Sequence, residues 1–159
     1  MAAADQVSKP INEDVLLAAI KRLSPVEKTQ LVVIFDDCQE DARDVYRFLE
    51  SGGYHEVHIA QTTEAGLEEA RQNAPDLIIL NPFMSEGSGF RALRILSVDP
   101  RTRSIPIIVL SPLEPEPNEL RLMAEWTEIL LQEESVPEND YVARIETSLR
   151  MLFPKNTDR

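Results

Sequence analysis

The chain has 159 residues, with 28 acidic side chains against 16 basic ones, for a formal net charge of −12. A length of this order suits a single domain. The acidic balance excludes direct gripping of nucleic acid or of an anionic membrane surface, both of which rely on clustered Lys and Arg. Apolar residues make up 43%, enough for a packed core.

The single cysteine, Cys38, excludes a disulfide framework and a cysteine-based zinc site. His55 and His58 read as residues of a strand whose alternate positions face solvent rather than as a metal pair. The first ten residues lack a signal-peptide pattern, and no apolar run approaches the length of a membrane span. A cytoplasmic protein is expected.

In chain order, the segment INEDVLLAAIKRL (11–23) spaces Ile11, Val15, Ala19 and Leu23 along one helical face. Ser24-Pro25-Val26-Glu27 resembles a capping box with Pro at the first helical position. Residues 1–30 are therefore expected to form a helical extension outside the main unit. It either packs on the domain's own surface or serves as a docking or dimerisation helix.

LVVIF (31–35) is a short continuous apolar run, the pattern of a strand buried on both faces. DVYRFLESGG (44–53) is an amphipathic helix that stops at a Gly pair. HEVHIA (55–60) alternates, and TEAGLEEARQNA (63–74) has helical composition behind Thr62, a candidate N-cap. DLIIL (76–80) is a second buried run, followed by the amphipathic FRALRILSVD (90–99). IPIIVL (105–110) is a third buried run. NELRLMAEW (118–126) reads as a helix and EILLQ (128–132) as a last strand. NDYVARIETSLRMLF (139–153) closes the series as a helix with Tyr141, Val142, Ile145, Leu149 and Leu152 on one face.

Strict alternation of buried strands with helices predicts an α/β fold: a five-stranded parallel sheet with helices on both faces. The expected division is an extension over 1–30, the sheet domain over 31–153 and a tail over 154–159. In such sheets, sites gather beyond the strand C-termini. That directs attention to Asp36–Asp37, Asn81, Ser111–Pro112 and Gln132–Glu133.

These residues resemble the receiver domain of bacterial two-component response regulators, with its CheY-like, flavodoxin-like fold. The likeness covers about residues 30–153. It is carried by FDDCQED, by GYHEVHIAQTTEAGLEEARQNAPDLIIL, by GSGF and by DPRTRSIPIIVLS. The resemblance implies a phosphoryl group passed to an aspartate after the third strand, with Mg²⁺ held by two acidic residues after the first. It also implies a Thr or Ser after the fourth strand and a Lys-Pro pair after the fifth. An aromatic switch on the fifth strand couples the site to a partner face of the fourth helix, fifth strand and fifth helix.

Carried over residue by residue, the site is incomplete. Asp36 and Asp37 match the acidic pair, and Ser111 matches the hydroxyl position. Asn81 stands in the place of the phosphoacceptor, Gln132 in that of the lysine and Glu133 in that of the following proline. Ile129 takes the aromatic switch position. An amide is neutral and does not attack phosphorus, and loss of one carboxylate weakens a site for hard Mg²⁺. Asp36 and Asp37 are expected either to shift in pKa by mutual repulsion or to recruit a cation weakly.

The expectation is therefore a phosphorylation-independent pseudo-receiver, not an enzyme and without a resident cofactor, weak Mg²⁺ at Asp36 and Asp37 aside. It would act in signal transduction by protein–protein contact. The expected contact residues are Glu119, Leu122, Trp126, Glu128, Glu133, Glu134 and Tyr141, with core packing as the plainer role for Trp126. Only PKNTDR follows Phe153, which fits a stand-alone adaptor. Two alternatives are a receiver phosphorylated at a non-standard residue and a small-ligand or metal sensor built on the acidic pocket. Residues 113–140 hold nine acidic residues and one base, Arg121, so eight of the twelve net negative charges fall there. A protein partner with a basic surface is expected, with the chain as a monomer or a dimer through the N-terminal helix.

Overall fold

The computed structural model describes residues 4–23, 31–54, 56–85, 88–112 and 116–122. Among them are five strands and four helices: β1 (Ala4–Lys9), α1 (Glu13–Leu23), β2 (Leu31–Phe35), α2 (Gln39–Ser51), β3 (Glu56–Ala60), α3 (Thr63–Asn73), β4 (Leu77–Leu80), α4 (Ser88–Val98) and β5 (Ile107–Pro112). Residues 117–122 are helical as well.

The strands form one parallel sheet in the order β1-β5-β4-β2-β3. The buried runs behave as their composition predicts. Every residue of β2 and of β4 is buried. Alternate side chains feed two separate cores, as a pleated strand covered on both faces requires. Val33, Phe35, Ile78, Leu80, Ile107 and Val109 face one core with Leu67, Phe90 and Leu93 from α3 and α4. Val32, Ile34, Leu77, Ile79, Ile108 and Leu110 face the other with Leu16 and Ile20 from α1 and Val45 and Leu49 from α2.

Local signals set the helix ends. Thr62 accepts a hydrogen bond from the Ala65 N–H at 3.1 Å and caps α3. Past the C-terminus of α2, Gly53 takes φ +95°, the left-handed region that favours glycine. Before β2, the Leu31 N–H donates to Asp76 Oδ2 at 3.0 Å, tying that strand's start to the loop before β4.

The N-terminal region departs from expectation. Its helix is present as α1, but residues 4–9 are not outside the sheet. They form its edge strand, in register with β5 from Ala4 opposite Ile107 to Lys9 opposite Pro112. The segment ADQVSK has no apolar run, so its composition does not announce a strand. Val7, 2% exposed, enters the core beneath α1. Position 128–132, expected as the fifth strand, lies outside the described residues.

Candidate functional site

The site lies at the carboxyl end of the sheet, where β2 and β4 run into loops. Asp36 follows β2 directly and is fully buried. Its N–H donates to the Ala60 carbonyl at 3.1 Å, so the backbone still follows β3 at that point. Asn81 follows β4, is 8% exposed, and donates its N–H to the Phe35 carbonyl at 2.8 Å. The central strands thus set the two side chains beside each other.

Asp36 Oδ1 accepts two hydrogen bonds, from the Cys38 N–H at 3.0 Å and from Asn81 Nδ2 at 3.2 Å. Asn81 Oδ1 accepts the Phe83 N–H at 3.0 Å. The network fixes the amide's direction. A backbone N–H only donates, so the Asn81 oxygen must face Phe83 and its nitrogen is left to face Asp36. Asp37 is exposed, and its Oδ2 accepts the Ser85 N–H at 3.0 Å, which ties the loop after β4 to the loop after β2. The two acidic residues are adjacent in sequence but engage different partners.

The GSGF segment has a steric role here. A Cβ on Gly89 would collide with the Asn81 carbonyl oxygen and with the Pro82 backbone. Only glycine lets α4 begin this close to the residue after β4. A second close approach occurs at Gly66, where a Cβ would strike the Phe35 ring. Beside them, Thr63 Oγ1 donates to Ser88 Oγ at 3.0 Å, joining the starts of α3 and α4.

Receiver domains typically bind Mg²⁺ at this acidic pocket, and the oxygens of Asp36 and Asp37 are the groups here that could hold it. Asp36 Oδ1 and Asp37 Oδ2 already accept N–H groups, and the third inward side chain is a neutral amide. Hard Mg²⁺ favours several anionic or water oxygens in octahedral array. Among the described residues, no group of three His, Cys, Asp or Glu side chains is placed to hold a metal ion. His58 Nδ1 lies 3.1 Å from Glu69 Oε2, an ion pair when the imidazole is protonated.

Other expected residues fall as follows. Ser111 lies on β5, opposite Ser8 of β1. Leu122 is 7% exposed and packs in the core with Phe90, Leu93 and Val109, so it is not offered to a partner. The short helical stretch turns Leu122 toward the sheet and leaves Leu120, not singled out from the sequence, 45% exposed. Glu119 is half-buried. Trp126, Glu128, Ile129, Gln132, Glu133, Glu134 and Tyr141 lie outside the described residues.

A parallel sheet of this order, with an acidic pair after one central strand and a buried amide after the next, defines a receiver fold. A family model, the response regulator receiver domain, matches residues 32–130. The chain belongs to that family, a class of signalling modules in two-component systems. It is 32% identical over 85 residues to Protein PilH of Pseudomonas aeruginosa, covering 54% of this chain and 69% of that one. It is 31% identical over 83 residues to Response regulator PleD of Caulobacter vibrioides, covering 52% of this chain but spanning 18% of that regulator. Among solved structures, the N-terminal domain of a response regulator receiver protein from Methanoculleus marisnigri superposes with a TM-score of 0.50 at 27% identity. That match covers 69% of this chain and 97% of the other. No helix of the described residues is long and apolar enough to cross a membrane.

Proposed function

We propose that the chain is a pseudo-receiver: a receiver domain that signals by protein contact without being phosphorylated. One observation carries this reading. The side chain in the acceptor's place is Asn81, buried, with its amide nitrogen bonded to Asp36 and its oxygen bonded to Phe83. Phosphoryl transfer needs an anionic oxygen free to attack in line. A neutral amide with both polar atoms engaged offers none. The replacement of a carboxylate by the neutral Asn81 amide supports the same reading, because one anion fewer weakens the hold on the Mg²⁺ that neutralises the phosphoryl oxygens.

Partner binding falls on the acidic stretch 113–140, which corresponds in sequence to the region the family uses for partner contact. Leu120 replaces Leu122 as the apolar contact there, beside Glu119. The partner is a protein with a basic surface, drawn in by complementary charge. Such attraction weakens as salt is added.

The test is incubation with acetyl phosphate, and separately with beryllofluoride, in the presence of Mg²⁺. The expected result is no phosphoryl mass gain and no shift of backbone resonances around Asp36 and Asn81. A phosphorylated residue in the pocket overturns the reading. Capture of partners by the wild type and by a variant with Glu116, Glu119 and Glu128 changed to Lys tests the face. Partners retained in full by the variant would remove the acidic stretch from the account.

A further inference from the structure

Charge is unevenly placed in this chain. From Ser88 to Ser104, the helix α4 and the turn after it, there are four arginines and one acidic residue, Asp99. That segment is +3 within a net charge of −12, which leaves −15 on the rest. The helix itself has two distinct sides. Phe90, Leu93 and Leu96 enter the core. On the other side Arg91, Arg94, Ile95 and Val98 follow the spacing of one helical stripe. Both arginines are exposed, Ile95 is half-buried, and Val98 is 46% exposed. The stripe carries no acidic side chain and ends on aliphatic ones.

Its ends are held in place. Arg91 donates to Glu64 of α3 at 2.7 Å. Arg101 grips Asp99 through two nitrogens, at 3.3 and 3.2 Å, and Arg71 of α3 donates to the same carboxylate at 3.0 Å. One carboxylate thus serves two guanidiniums, and a positive charge is left over. A guanidinium has five N–H donors, and the bonds to Asp99 do not use all of those on Arg71 and Arg101. Arg101 stays 64% exposed. A fork already fixed by one carboxylate loses less freedom on meeting a second.

We propose that this outer face of α4, continued through Arg101 and Arg103, is a docking surface for an acidic segment of a partner protein, with carboxylates on the arginines and an apolar side chain over Ile95 and Val98. Charge complementarity selects the occupant. A nucleic acid is the poorer fit, because a long polyanion would run past the stripe onto a chain that is otherwise −15. A short acidic segment meets the local field alone, since charges beyond a Debye length of about 8 Å are screened. The aliphatic pair also calls for an apolar group, which a phosphate backbone does not supply. This face is opposite in sign to the stretch 113–140, so the two take different partners. It stands whether or not Asn81 is silent.

The probe is a fluorescein-labelled peptide of about fifteen residues with Glu and Leu along one helical face, titrated with the full chain. The expected result is binding, with amide resonances moving at 91–103. Arg103→Glu is expected to weaken it about tenfold and Val98→Ser several-fold. Lys21→Glu makes the same charge change on α1, which packs against the other core, and is expected to weaken binding less than about twofold. Arg103, Val98 and Lys21 are exposed, so each variant keeps the fold, and unchanged unfolding midpoints check this.

No binding of the peptide overturns the proposal. Equal losses in Arg103→Glu and Lys21→Glu also overturn it, because net charge alone would then be at work. So does full binding by Val98→Ser, or an oligonucleotide of similar charge that binds as tightly as the peptide. Sedimentation of the chain alone covers the remaining occupant: self-association that Arg103→Glu abolishes gives the face to a second copy and removes the foreign partner.

Discussion

Asn81 Nδ2 and Asp36 Oδ1 lie 3.2 Å apart at the buried end of the sheet, an amide donor facing a carboxylate acceptor. The contact is favourable because one partner is neutral. An aspartate in place of Asn81 would set two acceptors against each other at that distance.

The substitution Asn81→Asp should therefore destabilise the domain at neutral pH by about 1–3 kcal/mol in the absence of divalent ions. Millimolar Mg²⁺ should recover most of that loss, since the added carboxylate supplies the anion that the pocket lacks. Urea denaturation with and without Mg²⁺ checks both halves. A variant as stable as the wild type in chelator would show that the 3.2 Å contact carries no weight.

Asn81 should also stay an asparagine. Deamidation proceeds by attack of the following residue's backbone nitrogen on the side-chain amide, and Pro82 has no N–H to lose. Peptide mass analysis after prolonged ageing at alkaline pH is expected to show residue 81 unchanged. A deamidated peptide spanning Asn81 and Pro82 would contradict this.

Gly89→Ala should cost roughly 1–3 kcal/mol, because overpacking against backbone cannot be relieved by a rotamer change. The new methyl would press on the Asn81 carbonyl and on Pro82. The amide resonances of Asn81 and Phe83 should move with it. A stable variant with those resonances unmoved would mean that α4 tolerates a longer approach.

Acid stability has one identifiable contributor at the end of α4. Hydrogen bonds from the Arg101 N–H and then the Arg101 side chain, with Arg71 from α3, pull the Asp99 carboxyl down from 3.8 to about 2. A depressed carboxyl stabilises the fold above its unfolded value and loses that contribution as pH falls through its folded one. Asp99→Asn should thus be less stable than the wild type at pH 7, with the gap closing between about pH 4 and about pH 2. Denaturation midpoints of both proteins across that range give the answer, and a gap independent of pH would refute the assignment.

How far the sequence carries varies with the range of the contacts. LVVIF and the buried run ending at Leu80 announce themselves because a strand covered on both faces leaves no polar position. Thr62 as a cap is equally local. The neighbouring placement of Asp36 and Asn81 follows once both strands are parallel and central. The edge strand is different. Val7 is its one large apolar residue, and its partner β5 lies about a hundred residues further along the chain, so no periodicity within Ala4–Lys9 reports the pairing. Leu122 was misjudged for a related reason: a helical stretch of one or two turns has too few apolar positions to tell its inner face from its outer one.

The pairing of β1 with β5 also bears on how the protein is made. The edge strand is translated well before the strand it must lie against, and three other strands and four helices are completed in between. Until Ile107–Pro112 has been synthesised, Val7 and the apolar face of α1 have no seat on the sheet. Long-range parallel pairing is slow to form and leaves apolar surface open while it waits. Seating of this edge closes the described domain, and a nascent chain halted before β5 would present α1 to whatever binds exposed apolar helices on the ribosome.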